Sequence, residues 1–144
     1  MELRRIYLLD TNIISEGIKP VPNPNVVTKM ESTSYSAAIC APVWYEMLRG
    51  INILPEGSRK DTLEKYALKT VQGMYPILPY DSHCASLHAA IFAKMRKNGT
   101  PVSQLNSQIA ATALANNMIV VTRNTKDFEP IQQEFSLCVE NWFD

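Results

Sequence analysis

The chain has 144 residues, which is enough for one domain with a buried core. Hydrophobic residues make up 46% and charged residues 19%, proportions that exclude a disordered or fibrous protein. Fourteen basic and fourteen acidic residues give a net charge of zero, so any surface that binds nucleic acid must be local. No run approaches the roughly 20 apolar residues that span a bilayer, so we expect no membrane partner.

The cysteines and histidines indicate neither a disulfide framework nor a zinc site. Cys40, Cys84 and Cys138 are odd in number, far apart and surrounded by apolar residues, so we predict buried thiols. His83 and His88 lack the spacing of zinc ligands. The beginning of the chain shows no signal-peptide pattern. Together these features predict a location in the cytoplasm.

The first half of the chain alternates between apolar runs and helical patterns. Strands are predicted over 6–9 and 37–40, and helices over about 25–31 and 42–51, with Pro42 in the first turn of the second helix. Ser58 opens a further helix. Its apolar stripe is predicted to consist of Leu63, Ala67, Val71 and Met74.

The second half continues the alternation. A strand is predicted over 77–78, followed by a helix that Ser82 caps and that ends at Asn98-Gly99. The inner stripe of this helix is predicted to be Cys84, Leu87, His88, Ile91 and Met95. The remaining predicted elements are a helix over about 103–116, a strand over 118–122, a short helix from Asp127 and a strand over 137–139. This order predicts an α/β fold: a three-layer α/β/α sandwich around a mainly parallel sheet of four to five strands.

Polar residues follow the predicted strands at several junctions. Asp10 comes directly after the first strand, and Glu46 lies in the helix after the second. Asn106 shares a helix face with apolar residues, and Asn124 and Asp127 follow the fourth predicted strand. Ordinary helix caps, turns or a solvated helix face explain each of these positions singly. Ligands of α/β folds gather at the carboxyl ends of strands, and oxygen donors suit Mg²⁺ or Mn²⁺.

Four sequence blocks share the order and spacing of one protein family. They are LDTNI (9–13), WYEMLRG (44–50), GTPV leading to NSQIAA (99–111) and VTRNTKDF (121–128). Together they resemble the PIN-domain ribonucleases, and most closely the VapC toxins of type II toxin–antitoxin (VapBC) systems. The resemblance spans about residues 5–142. It implies a single PIN domain over residues 1–144 with a PIN-like fold.

The resemblance also implies an activity and partners. Such a toxin is a Mg²⁺- or Mn²⁺-dependent endoribonuclease that hydrolyses RNA phosphodiester bonds by in-line attack of water. The products carry a 5′-phosphate and a 3′-hydroxyl. A cognate VapB-type antitoxin neutralises the toxin, which commonly forms a homodimer.

Site residues follow from the same resemblance. The implied catalytic metal ligands are Asp10, Glu46 and Asn106, with Asn124, Asp127 or both completing the set. Thr11, Asn12 and Thr122 are implied to hold the carboxylates or to contact substrate. Arg49, Arg123 and Lys126 are candidates for gripping phosphates, although solvated surface charges explain them equally well.

Asn106 departs from the family pattern, which usually has an aspartate there. A neutral amide offers one carbonyl oxygen in place of a charged carboxylate, so activity is expected to be weakened or abolished. The asparagine is either an introduced inactivating change or a natural variant. Two other functions stay open: an inactive PIN-fold module that binds RNA or a regulator, and a phosphatase with Asp10 as nucleophile. The phosphatase pattern requires a second aspartate where this chain has Asn12.

Overall fold

The computed structural model describes residues 5–144, which form a five-stranded parallel sheet flanked by helices. The strands are β1 (Tyr7–Leu9), β2 (Ala37–Cys40), β3 (Ile77–Leu78), β4 (Ile119–Val121) and β5 (Val139–Glu140). Their order across the sheet is β3-β2-β1-β4-β5, and every neighbouring pair is parallel. The α/β class and the mainly parallel sheet predicted from the sequence are confirmed.

Eight α-helices connect these strands in the described part of the chain. They are α1 (Thr11–Glu16), α2 (Pro24–Ser32), α3 (Ala41–Asn52), α4 (Ser58–Lys65), α5 (Gln72–Met74), α6 (Ser82–Asn98), α7 (Gln104–Ala115) and α8 (Glu129–Gln132). A π-helical segment, Tyr66–Val71, joins α4 to α5, and 3₁₀ turns cover Ser34–Ser36 and Thr125–Phe128. None of these helices, over residues 5–144, is both long and apolar enough to cross a membrane.

The central position of β1 determines where the polar junction residues meet. Leu8 and Leu9 of β1 are fully buried between β2 and β4. All three strands run in the same direction, so their carboxyl ends lie at one edge of the sheet. Asp10 follows β1 at this edge, α3 begins directly after β2, and Thr122 follows β4. The fold therefore gathers the first, second and fourth sequence blocks at one edge.

The helix predicted from Ser58 forms, but its apolar stripe changes direction in the π-helical segment. Ala67 and Val71 are buried as predicted, whereas Met74 is 44% exposed, so its assignment to the stripe was wrong. A π-helical turn contains more residues than an α-helical turn. The residues after Val71 are therefore rotated out of the register that a continuous α-helix would give them.

Four further details differ from the sequence prediction. Asp81, not Ser82, caps α6, because its Oδ1 accepts a hydrogen bond of 3.0 Å from the Cys84 backbone N–H. Cys138 is exposed rather than buried, because it lies just before the edge strand β5. The final strand lies one to two residues later than predicted. The short helix predicted from Asp127 begins as the 3₁₀ turn Thr125–Phe128.

Gly17, directly after α1, provides a test of how tightly the chain packs there. A Cβ atom at Gly17 would lie 2.6 Å from the Tyr66 hydroxyl, which donates a hydrogen bond of 2.8 Å to the Ile14 carbonyl. We expect Gly17→Ala to lower the free energy of unfolding by about 1–3 kcal/mol through overpacking. Urea unfolding measures the change. Gly73→Ala in α5 is the control: its Cβ meets nothing within 4 Å, and we expect a gain of about 0.5–1 kcal/mol. Equal effects at both glycines would contradict the packing argument.

Candidate active site

Asp10 is the most buried carboxylate at the edge where the strands end. It is the N-cap of α1, and its Oδ1 accepts a hydrogen bond of 2.7 Å from the Thr11 backbone N–H. Its Oδ2 accepts one of 2.9 Å from the Thr122 hydroxyl and a longer one of 3.5 Å from Asn12 Nδ2. Only 6% of the residue is exposed. Asp10 therefore caps α1, as the ordinary explanation of this position predicts.

Burial and neighbouring negative charges raise the pKa of Asp10 above its ordinary value. Loss of hydration is the largest cause, and the charges of Glu46 and Asp127 add to it. The hydrogen bonds from Thr122 and Thr11 oppose the rise without cancelling it. Asp10 thus lies in a field that favours binding of a positive charge or a proton.

Glu46 approaches Asp10 from α3 and is half-buried. The Thr11 hydroxyl donates a short hydrogen bond to Glu46 Oε2, while the Thr11 backbone N–H binds Asp10. One threonine therefore contacts both carboxylates and sets their relative position. Pro42 and Val43 anchor the beginning of α3 in the core and direct Glu46 toward α1.

A second set of hydrogen bonds connects α1 to the segment after β4. Asn12 Nδ2 donates to the Thr122 hydroxyl at 3.2 Å, and Asn12 Oδ1 accepts from the Arg123 backbone N–H at 3.1 Å. The Asn124 backbone N–H donates to the Thr122 hydroxyl at 3.1 Å. Asn12 is thus engaged through both ends of its amide. An amide in this place donates hydrogen bonds and cannot act as the proton donor that a phosphatase needs there.

The third and fourth sequence blocks contribute less direct contacts. Asn106 is half-buried in the first turn of α7, where its backbone N–H donates to the Ser103 hydroxyl at 3.1 Å. Within residues 5–144, its side-chain amide forms no hydrogen bond. Asp127 is exposed, and its charge reaches Asp10. Asn124 contributes its backbone to the network described above.

The described carboxylates do not form a preassembled three-residue metal cluster. Among residues 5–144, no three His, Cys, Asp or Glu side chains lie close enough together to hold a metal ion by themselves. Asp10, Glu46 and Asp127 also form no ion pair with a described lysine or arginine. Mg²⁺ commonly uses one or two carboxylates and keeps several waters. Asp10, Glu46 and Asp127 offer negatively charged oxygen donors that no described lysine or arginine neutralises, and such donors suit a hydrated cation of this kind.

The three basic candidates are placed differently. Arg49 lies over the Tyr45 ring at 5.7 Å, on the exposed side of α3. Arg123 lies over the Phe143 ring at 4.6 Å, and its backbone belongs to the Asn12 network. Lys126 is exposed in the 3₁₀ turn. Of the three, the structure joins Arg123 to the residues around Asp10.

A groove opens beside Glu46, between α1, α3 and α4. It has a volume of about 190 Å³ and includes Thr11, Met47 and Tyr66 in its walls. A larger cavity of about 480 Å³ lies between α6 and α7, lined by His88 and Phe92 among others. None of Asp10, Glu46 and Asp127 lines this larger cavity. The smaller groove is the one that includes Thr11 and Glu46 of the candidate site.

Two residues near the site were missed by the sequence reasoning. Glu16, at the end of α1, is 4% exposed and accepts a hydrogen bond of 2.7 Å from the Asn23 backbone N–H. Phe143 supplies the ring beneath Arg123. No local pattern marks either one, because their partners lie in loops whose position depends on the tertiary fold.

Comparisons with known proteins agree with this geometry. Residues 7–132 match the family described as PIN domain. The toxin FitB of Neisseria gonorrhoeae is 32% identical over 126 residues, which cover 85% of this chain and 91% of FitB. The VapC ribonuclease Y4jK of Sinorhizobium fredii is 32% identical over 132 residues, covering 86% of this chain and 91% of that protein. The chain belongs to the PIN-domain family.

A solved structure extends the similarity to three dimensions. FitAB bound to an IR36 DNA fragment matches this PIN domain with a TM-score of 0.86 and 30% identity. The alignment covers 96% of each chain. The fold thus agrees over nearly the whole length of both chains.

Proposed function

We propose that this PIN domain, extending over residues 1–144, is a VapC-like toxin: an endoribonuclease that uses Mg²⁺ or Mn²⁺ to hydrolyse RNA phosphodiester bonds. Support comes from family membership and from relatives of which one is named a ribonuclease and another a toxin. Asn106 weakens or abolishes the activity of this chain, because it supplies a neutral oxygen where the family pattern has a carboxylate.

The observation that carries the proposal is the environment of Asp10. A carboxylate buried at the strand ends, with two further acids acting on it and no described ion pair, costs free energy in the folded protein. Such an arrangement is typical of functional sites, where a ligand supplies the missing charge. A divalent cation is the ligand that these oxygen donors fit best.

Some residues of the site would hold the cation, and others position the carboxylates that hold it. Asp10, Glu46, Asp127 and the Asn106 carbonyl would hold the cation, with Asn124 as the alternative fourth position. When bound, the cation lowers the pKa of water and neutralises charge on the phosphate. Thr122 fixes Asp10 Oδ2 through its 2.9 Å hydrogen bond. Thr11 fixes Glu46 relative to Asp10, so neither carboxylate must reorganise when substrate arrives.

The proposed partners follow from the same resemblance. FitB is a toxin, and the similar solved structure is that of FitAB bound to DNA. We therefore propose a cognate VapB-type antitoxin for this chain, with RNA as substrate. A homodimer and a location in the cytoplasm remain predictions from the sequence.

Two alternatives predict different results. An inactive PIN module binds RNA without cutting it, and Asn106 is the feature that favours it. A phosphatase would use Asp10 as nucleophile and would need an acid two residues later in the chain. Asn12 replaces the acid that a phosphatase requires, so the structure offers this second alternative no support.

The test is a single-turnover assay with the protein in excess over a labelled pool of mixed RNA, with Mn²⁺ or with EDTA. We expect slow cleavage that needs metal and leaves 5′-phosphate ends. Glu46→Gln should lower the rate by about tenfold or more, because a charged ligand is lost. Glu31→Gln, an exposed position on α2, should leave the rate unchanged. Cleavage that persists in EDTA, or that Glu46→Gln leaves intact, would refute the metal-dependent mechanism.

A further inference from the structure

We propose that Arg123 binds a backbone phosphate of single-stranded RNA beside the scissile bond, and that Phe143 is the positioning residue that holds Arg123 in place. The inference rests on the proposed ribonuclease function and deepens it by naming a substrate contact. Sequence proximity alone made Arg123 one of three basic candidates. The structure distinguishes it from Arg49 and Lys126.

Arg123 is tied to the site through its backbone and is free at its charged end. Its N–H donates to Asn12 Oδ1, and Asn12 in turn contacts Asp10 and Thr122. Its side chain is exposed, and it forms no ion pair with any carboxylate in residues 5–144. The guanidinium lies over the Phe143 ring at 4.6 Å. Stacking uses the face of a guanidinium and leaves its in-plane N–H donors available for a phosphate.

Phe143 is held by hydrogen bonds to its backbone and by packing of its side chain against the core. Its carbonyl accepts hydrogen bonds of 3.3 Å from the side-chain amides of both Asn23 and Asn25 at the start of α2. Its backbone N–H donates to Asn141 Oδ1 at 2.8 Å. These three hydrogen bonds hold the backbone of Phe143 in place. The Phe143 side chain also packs against the hydrophobic core, so its ring offers Arg123 a surface in a defined place.

Glu16 completes the connection from Phe143 back to α1. Its carboxylate accepts a hydrogen bond from the Asn23 backbone N–H and forms an ion pair of 2.9 Å with Lys19. These two contacts are the main reasons why the pKa of Glu16 is lowered, and the charge of Arg123 contributes to the same shift. Glu16 is thus already neutralised by Lys19. Arg123 remains available for an external anion.

The arrangement predicts a contact that is independent of RNA sequence. A guanidinium at the rim of an acidic site supplies the attraction that a polyanion needs to approach carboxylates. The Arg123 backbone lies one residue away from Thr122, which binds Asp10. The phosphate that Arg123 binds is therefore close to the bond that the cation would activate.

The experiment measures binding separately from cleavage. A short fluorescein-labelled single-stranded RNA of mixed sequence is titrated with the full chain in EDTA, at several NaCl concentrations, by fluorescence anisotropy. We expect Arg123→Ala to weaken binding by about tenfold, as for loss of a charge-assisted contact. The slope of log affinity against log salt should become shallower by about 0.7, the value for one phosphate on a single strand. Phe143→Leu should weaken binding by about three- to fivefold. Phe143→Tyr, which keeps an aromatic ring, should bind RNA as the unchanged chain does.

Controls separate this proposal from its alternatives. Arg49→Ala removes the other arginine stacked on an aromatic ring and should change the affinity by less than about twofold. Thermal melts of the Phe143 variants show whether they remain folded. In Asn106→Asp, Arg123→Ala should raise KM more than it lowers kcat. Unchanged binding in Arg123→Ala overturns the phosphate contact, and unchanged binding in a folded Phe143→Leu overturns the positioning role. If RNA binds as predicted but Asn106→Asp does not cleave, the ribonuclease proposal fails while this contact stands.

Discussion

Asn106→Asp will raise the rate of metal-dependent RNA cleavage by about 100-fold or more. The substitution gives the cation a charged ligand in place of a neutral carbonyl, and electrostatic stabilisers of this kind typically contribute that much to catalysis. The residue lies half-buried in the first turn of α7, and aspartate has the same shape as asparagine, so the new carboxylate can take the position of the present amide. The measurement is single-turnover cleavage of a mixed RNA pool with Mg²⁺, Mn²⁺ or EDTA.

The same substitution will change stability in opposite directions with and without metal. If residue 106 shares a cation with Asp10 and Glu46 as proposed, its new charge repels theirs in EDTA at neutral pH, so the melting temperature should fall or stay level. Added Mn²⁺ should stabilise the Asp variant more than the present chain, because it binds the folded form more tightly. Thermal melts with EDTA and with metal give both values.

Gln104→Glu is the matched control for this prediction. Gln104 lies in the same first turn of α7 but is exposed. The Gln104→Glu substitution adds the same charge to the same helix N-terminus as Asn106→Asp. Both variants therefore gain any stabilisation that the helix dipole gives to a negative charge there. We expect Gln104→Glu to change neither cleavage nor the metal-induced shift. Should Asn106→Asp behave like this control, residue 106 is not a metal ligand and the binding-module alternative gains support.

Asp10→Asn will abolish cleavage and stabilise the protein in the absence of metal at neutral pH. Burial and the charges of Glu46 and Asp127 raise the pKa of Asp10 above its ordinary value of 3.8. A carboxyl with a raised pKa contributes its stabilisation fully below the unfolded pKa and loses it as pH rises through the folded pKa. At neutral pH the ionised side chain is therefore a cost. Removing the charge should raise the free energy of unfolding by about 1 kcal/mol, the usual scale for a residue kept for function rather than stability.

The pH dependence distinguishes this mechanism from a general packing effect. The gain from Asp10→Asn should shrink as pH falls through the raised folded pKa of Asp10, and it should be largely gone below about pH 4, where the carboxyl is protonated in both states. Asp81→Asn at the cap of α6 should show the opposite dependence. The hydrogen bond from the Cys84 backbone N–H lowers the pKa of Asp81, so its contribution is present above the unfolded pKa and is lost as pH falls. Urea unfolding in EDTA from about pH 3 to about pH 8 measures both variants.

A loss of stability in Asp10→Asn would contradict this prediction. If Asp10→Asn is less stable than the present chain in EDTA at neutral pH, the hydrogen bonds from Thr11 and Thr122 outweigh the cost of burying the charge. Asp10 would then be mainly the cap of α1. A variant that keeps its cleavage activity would remove Asp10 from the mechanism altogether.

The local sequence was sufficient to locate most elements and their junctions. Apolar runs correctly marked β1 and β2, because a strand buried on both faces needs apolar residues on both sides. Pro42 marked the start of α3, because proline suits the first turn of a helix. Gly99 marked the end of α6, because glycine readily adopts the left-handed backbone found there. These signals depend on a few neighbouring residues, which is why they can be read without the fold.

Other features could not be read locally, because each depends on residues distant in the chain. Asp81 rather than Ser82 caps α6, since both residue types can cap a helix and only the geometry chooses between them. The π-helical segment that displaces Met74 has no distinct sequence pattern. The exposure of Cys138 follows from the position of β5 at the sheet edge.

The site shows the same division. The sequence by itself determined which residue types stand at the strand ends, and the family pattern named Asp10, Glu46 and Asn106 among them. Only the tertiary structure decided that Thr122 binds Asp10 across 112 residues of chain, and that Phe143 lies beneath Arg123. The order β3-β2-β1-β4-β5 is the physical reason, because it places the ends of β1 and β4 side by side while they remain far apart along the chain. Burial of Asp10, and with it the raised pKa, exists only once those strands have assembled.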